Sequence, residues 1–153
     1  MPHHRLSIDK LSPSHQQRIR WFHEHTGEST PFPSPIAEGI FLATRAKGIY
    51  KPAGLGYALS IRVMLSSPYA DKPVEVHPDG SWQLLYFQEN TDPSELDREY
   101  TNRALVRCHD DYIPIGVLVQ SSLKPVRYDV LGLARVMGWK NGFFTFESAT
   151  IDQ

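Results

Sequence analysis

The sequence predicts an α+β fold in which a strongly curved sheet or small barrel carries helices at its ends. Three observations lead there. Two segments combine helix-start chemistry with an apolar stripe, five or six others have the period of a strand, and most of those strands follow the second helix. In the first helix Ser12 is the N-cap, Pro13 takes the first helical position, Ile19 and Phe22 share a face, and Gly27 stops the run. Ser29 to Pro35 carries prolines at 31, 33 and 35, so it is neither helix nor central strand and reads as an extended connector lying on the domain. From Gly39 the composition turns to β. Tyr57, Leu59, Ile61 and Val63 alternate with Ala58, Ser60, Arg62 and Met64, which assigns Tyr57 to a buried face and directs Arg62 outward. Trp82 to Gln88 is a second strand, entered through the turn Pro78-Asp79-Gly80. Asp92 caps the second helix, with Pro93 next, Glu95 three residues on, the stripe Leu96, Tyr100, Ala104, and an end near His109. Ile113–Gln120, Arg127–Met137 and Gly142–Glu147 complete the strands, the last two joined by the tight turn Trp139-Lys140-Asn141-Gly142. Residues 1–38 form an N-terminal helix and connector packed on a domain that spans 39–153.

With 153 residues, 41% of them apolar, one domain can bury a core without metal or disulfide support. The single Cys108 has no partner for an internal disulfide, and MPHHRLSIDK lacks the apolar core of a secretory signal, so a reducing, cytoplasmic setting is expected. Mean hydropathy is −0.37, and no apolar run approaches the ~20 residues of a membrane helix. A net charge of −1 and a pI near 6.6 exclude a surface that is basic all round. The charge is uneven, however. Residues 1–62 hold eight Lys/Arg against four acids, and six acids lie between Asp92 and Asp111, as on the solvated side of a helix.

No enzyme motif is present: there is no glycine-rich phosphate loop, no nucleophile elbow and no zincin helix. His109-Asp110-Asp111 does not read as a metal or nuclease cluster, because adjacent side chains at a helix end diverge. Cys108 and His109, neighbours on a helix, do not face each other, and Cys108 reads as a buried structural thiol. No cofactor, metal or catalytic residue is expected. What remains is aromatic chemistry: Tyr50, Tyr57, Tyr69, Trp82, Tyr86 and Phe87 crowd one stretch. Tyr69 follows Ser66-Ser67-Pro68 and precedes Asp71, a loop setting in which a core residue is unexpected. An aromatic face beside a carboxylate is equipment for holding a planar heterocycle by stacking and by hydrogen bonds to its polar edge.

In order along the chain, Gly48-Ile49-Tyr50-Lys51-Pro52, Gly56-Tyr57-Ala58-Leu59-Ser60-Ile61, Tyr69-Ala70-Asp71, Thr101-Asn102-Arg103-Ala104-Leu105, Pro114-Ile115-Gly116-Val117, and Arg127-Tyr128-Asp129-Val130 with Arg135-Val136 and Gly142-Phe143-Phe144 resemble the SRA (SET- and RING-associated, YDG) domain. The likeness is nearest to the bacterial SRA-like modules that accompany HNH nucleases in modification-dependent restriction. It implies a PUA-like, SRA-like twisted β-barrel with two or three helices that flips a modified cytosine, 5-methylcytosine or a related base, out of duplex DNA. By motif Tyr69 and Tyr86 match the two aromatics that sandwich the base. Asp71 matches the first acid that reads its edge, with Trp82 and Phe87 as alternative pocket walls. Independently of the family, an ionised Asp accepts from the exocyclic amine of cytosine, whereas thymine offers an acceptor there.

The chain departs from the family pattern in three places. Lys72 stands where a second acid is expected, only Phe87 to Tyr100 fills the position of a long finger, and the loop after Lys51-Pro52 is short, leaving Leu55 as the wedge. Arg45, Lys47, Lys51 and Arg62 are the candidates for contacts to the DNA backbone. The expectation is a bacterial, cytoplasmic, non-catalytic reader of duplex DNA containing modified cytosine, with an HNH nuclease domain or subunit as companion and no membrane partner. The alternatives are a PUA-superfamily binder of RNA or of another modified base, and a small-molecule or protein interaction domain.

Overall fold

The computed structural model describes residues 4–33, 36, 39–44, 48–65, 74–87 and 100–152. In chain order the elements are β1 (His4–Leu6), α1 (Pro13–Glu24), β2 (Ser29–Thr30), β3 (Ile49–Tyr50), β4 (Ser60–Val63), β5 (Glu75–Val76), β6 (Trp82–Phe87), α2 (Tyr100–Asp111), β7 (Ile115–Leu123), β8 (Val126–Lys140) and β9 (Phe143–Ile151). The nine strands make one mixed sheet, with the path β3-β4-β7-β8-β9-β6-β5 and with β1 on β9 and β2 on β8. The α+β class is as expected. The closed barrel is not: among the described residues β3 and β5 end the path and are not paired with each other.

Local chemistry explains the elements that match the sequence reading. Ser12 Oγ accepts the His15 amide (3.2 Å) and caps α1 at its Pro13 start. Asn141 and Gly142 take φ of 53° and 84°, the left-handed pair of a two-residue hairpin that sets Lys140 opposite Phe143. Asp79 Oδ1 accepts the Ser81 hydroxyl (2.6 Å) and amide (2.9 Å), which shapes the turn into β6 and holds its carboxyl well below the usual carboxylate range. The expected start of the second helix at Asp92 and Pro93 lies outside the described residues. Its expected stripe is corrected at Tyr100, which is exposed; the buried face is Thr101, Asn102, Ala104, Leu105 and Cys108.

Strand register places the two helices on opposite faces. Phe22 of α1 packs on Gly116, whose β8 partner Leu133 faces away from Val136, while Val106 and His109 of α2 approach Val136 and Phe144. Both faces are therefore covered, and β4 is buried on both sides, as its parallel pairing with β7 leads one to expect. The N-terminal region is built into the sheet as well as packed on it: β1 runs parallel to β9, and the half-buried His4 and Glu147 side chains meet at 2.7 Å.

Two consequences can be measured. A Cβ at Gly116 would overlap the Phe22 ring, so Gly116→Ala should cost about 1–3 kcal/mol of overpacking, and Phe22→Leu in the same chain should recover part of it. His15 is buried on α1, and burial, aided by the Arg18 charge, pushes its pKa from 6.5 down to about 4. The unfolded chain thus takes up a proton near pH 6.5 that the folded chain refuses until about pH 4. Stability should be flat above this window, fall as pH drops through it, and lose up to about 3 kcal/mol at its lower end. Urea midpoints against pH for His15→Phe should lack this component.

Candidate functional site

Tyr86 lies near the end of β6, half-buried, on the face shared by Trp82 and Leu84. A Cβ at Gly48 would land on the Tyr86 hydroxyl, and the Gly48 carbonyl is held by the Arg62 amide of β4 (2.8 Å). Gly48 immediately precedes β3, one end of the strand path, and Tyr86 lies on β6, next to β5 at the other, so the sheet curls until this tyrosine reaches across the gap. The seam is closed by a side chain against a glycine, not by a ladder of hydrogen bonds.

A row of aromatics crosses the same face. Register sets Tyr86 of β6 opposite Phe144 of β9, and Phe144 opposite Trp139 of β8, so the three side chains share one side. Met137 is the extra residue of a bulge between Val136 and Gly138. Beside the bulge a cleft of about 220 Å³ opens, lined by Val106 and His109 of α2 and by Val136, Gly138, Trp139 and Phe144. Its wall is apolar except at His109, whose Nδ1 lies 3.0 Å from Asp110 Oδ1. For scale, an apolar cavity of about 150 Å³ accepts benzene. Sequence reading missed Trp139, Phe144 and Val106 as site residues. A tryptophan beside a tight turn was legible, but the bulge that turns it toward the cleft arises only in the pairing of β8 with β9.

The sequence-predicted residues separate. Tyr69, Asp71, Arg45 and Lys47 lie outside the described residues, which stop at Leu65, two residues past β4, and resume at Val74, which leads into β5 beside β6. Trp82 shares the face of Tyr86 but sits four residues away, about 13 Å along the strand, buried in the core with its amide on Ser148 Oγ (3.1 Å). Phe87 points to the opposite face, edge-on to Phe143 at 5.1 Å. Neither can form a sandwich with Tyr86. Leu55 closes a turn in which its amide donates to Pro52 O (3.2 Å) and Gly54 takes φ 84°, leaving its side chain half-exposed on a constrained tip. Lys51 stands at the same tip, its Nζ 3.5 Å from Pro52 O.

Arg62 requires a correction, because it is not on the surface. Only 6% exposed, it donates from Nη1 to Tyr128 Oη (2.8 Å), and its guanidinium lies over the Phe32 ring at 5.4 Å. Phe32 in turn meets Tyr128 edge-on at 6.0 Å. Alternation did put Arg62 on the face away from Ile61. The proline-rich connector covers that face, and the cation is held there by aromatic rings and a phenol. Gln120, paired with Tyr128 in the register, accepts the Leu65 amide (3.0 Å) and anchors the chain where the segment carrying Tyr69 begins.

Tyr57 is half-buried at the rim, not in the core, and its hydroxyl donates to Asp111 Oδ2 (2.5 Å), which raises the phenol pKa. Cys108 is buried as expected, and burial pushes its thiol up to about 12. Among the described residues no three His, Cys, Asp or Glu side chains converge on a common point, and no helix is long and apolar enough to cross a membrane. Comparison with known proteins found no matching family model, no matching curated protein and no matching solved structure.

Gly48→Ala should displace Tyr86 and lower Tm, and Tyr86→Phe in the same chain should restore most of the loss, since only the hydroxyl overlaps directly. Arg62→Leu, which leaves the buried Tyr128 hydroxyl without its donor, should cost about 1.5–3 kcal/mol in chemical denaturation.

Proposed function

We propose that the protein is a non-catalytic reader of duplex DNA that takes a modified cytosine out of the stack and holds it at the Tyr86 seam, on an SRA-like, PUA-like curled sheet. The observation that carries this reading is the half-buried Tyr86 at the junction of the two sheet ends, in a row with Phe144 and Trp139 that borders an apolar cleft. Supporting it, two positions remote in sequence that match the family motifs, Gly48 and Tyr86, meet in space. Tyr69 and Asp71 enter the proposal as partners of Tyr86 from the motif resemblance alone. Stacking of about 1–3 kcal/mol per aromatic face offsets an unstacking cost of a few kcal/mol. With Arg62 buried, Arg45, Lys47 and Lys51 remain for the phosphates, and Leu55 is the wedge. An HNH nuclease domain or subunit is the proposed companion.

Titrations of otherwise identical duplexes containing cytosine, 5-methylcytosine, 5-hydroxymethylcytosine or methylated adenine, with an RNA control, test this. A modified cytosine should bind more tightly than cytosine, and the preference should fall about 5- to 150-fold in Tyr86→Ala, Tyr69→Ala or Asp71→Ala chains that remain folded. Leu55→Ala should weaken binding to every duplex. Equal affinity for all duplexes and RNA would overturn the reading. The apolar cleft favours a second one, a domain for a small planar ligand; that reading holds instead if Val106→Trp abolishes ligand binding in a chain that is indifferent to DNA.

A further inference from the structure

The first turn of α1 has an unusual donor account. A helix N-terminus leaves its leading amides without helical partners. Here Pro13 has no N–H, the His15 amide goes to Ser12 Oγ (3.2 Å), and the Gln16 amide goes to Ser12 O (2.9 Å). That leaves the Ser14 amide as the open donor. One turn on, Arg18 is only 7% exposed and reaches back, with Nη2 3.4 Å from Ser14 Oγ. Its Nε and Nη1 are buried without a hydrogen-bond partner, and so is Nε2 of His15, which is 1% exposed. A guanidinium is always charged, and burying it with two of its three nitrogens lacking an acceptor is costly. Arg62, also buried, gives Nη1 to a phenol oxygen and lies over two aromatic rings. Arg18 receives no such set. Asp9, three residues before the cap, lies instead in a separate cleft with Arg20 and Asp152.

We propose that the first turn of α1 is a binding site for a phosphate group, held by the Ser14 amide and hydroxyl and by the Arg18 guanidinium. The positive end of the helix and a cation aimed at it favour the same charge, and every group in the set can donate. The site goes beyond the base-reading proposal and does not depend on it. The phosphate could arrive free, as a phosphomonoester, or as part of a DNA backbone; the chemistry is shared.

The test is calorimetry of the full chain at pH 7.5 in inorganic phosphate against chloride of equal ionic strength. At tenfold over its dissociation constant, phosphate should raise Tm by about 3–6 °C. Arg18→Met should lose the phosphate-specific rise while melting no lower than the parent in chloride, since an uncompensated buried charge has gone. In the unaltered chain, phosphate should also move the His15 ring signals and raise its titration midpoint, a readout that needs no variant. No phosphate-specific rise, an equal rise in Arg18→Met, or unmoved His15 signals would each overturn the site. A second arm identifies the source: with unmodified duplex, a salt-dependence slope reduced by about one in Arg18→Met assigns it to a backbone phosphate, and an unchanged slope to a free phosphate or phosphomonoester. Because the first arm contains no DNA, its failure and the failure of base reading are separate results.

Discussion

The fold depends on how β8 is hydrogen-bonded along its two edges. On one edge β7 pairs with residues 126–134. The other edge is divided: β9 holds residues 133–140, and β2 with the Gly27 amide takes over at 128–130. The change of partner coincides with a bulge at which Leu131 is the extra residue and Gly132 takes φ 125°, with Thr26 packed against it. β9 repeats the arrangement, since its edge beyond β6 is taken by β1. Backbone donors and acceptors that would otherwise face water are thereby paired with segments from the first 30 residues, which explains why the N-terminal region is part of the sheet. The second bulge, at Met137, both bends the sheet and opens the cleft beside Gly138.

Two guanidiniums are buried, Arg62 of β4 and Arg18 of α1, and the contrast between them is chemical. Arg62 sits beneath the connector, stabilised by Tyr128 and Phe32. This arrangement fixes β4, β8 and the connector relative to one another. Arg18 sits at the head of a helix with most of its donors unspent. In a chain of net charge −1, neither cation is visible as electrostatics in the composition. The seam is different again: Tyr86 bridges the sheet ends through shape, because only a glycine at position 48 leaves room for its hydroxyl.

Much of the architecture was legible because it is local. Capping by Ser12 and Pro13, the left-handed Asn141-Gly142 turn, and the long apolar strands of the C-terminal third all follow from neighbours in sequence. The short strands β1, β2, β3 and β5 were not legible as separate elements. Two or three residues carry no period, and they are strands only because a longer neighbour offers an edge. Tyr57 and Tyr100 were misplaced for a related reason. A stripe of apolar residues shows which positions could be buried, but a tyrosine with a polar partner at the rim satisfies the same pattern.

The sequence by itself determined an α+β domain, the position of α1, the order of the long strands, and a buried, unreactive Cys108, because each rests on short-range periodicity, capping or composition. Only the tertiary structure decided that the sheet stays open, that Arg62 is enclosed, and that Trp139 and Phe144 border a cleft with α2. Those outcomes depend on register, bulges and the covering of both sheet faces. Each is set by contacts between residues tens of positions apart, about which a local pattern carries no information.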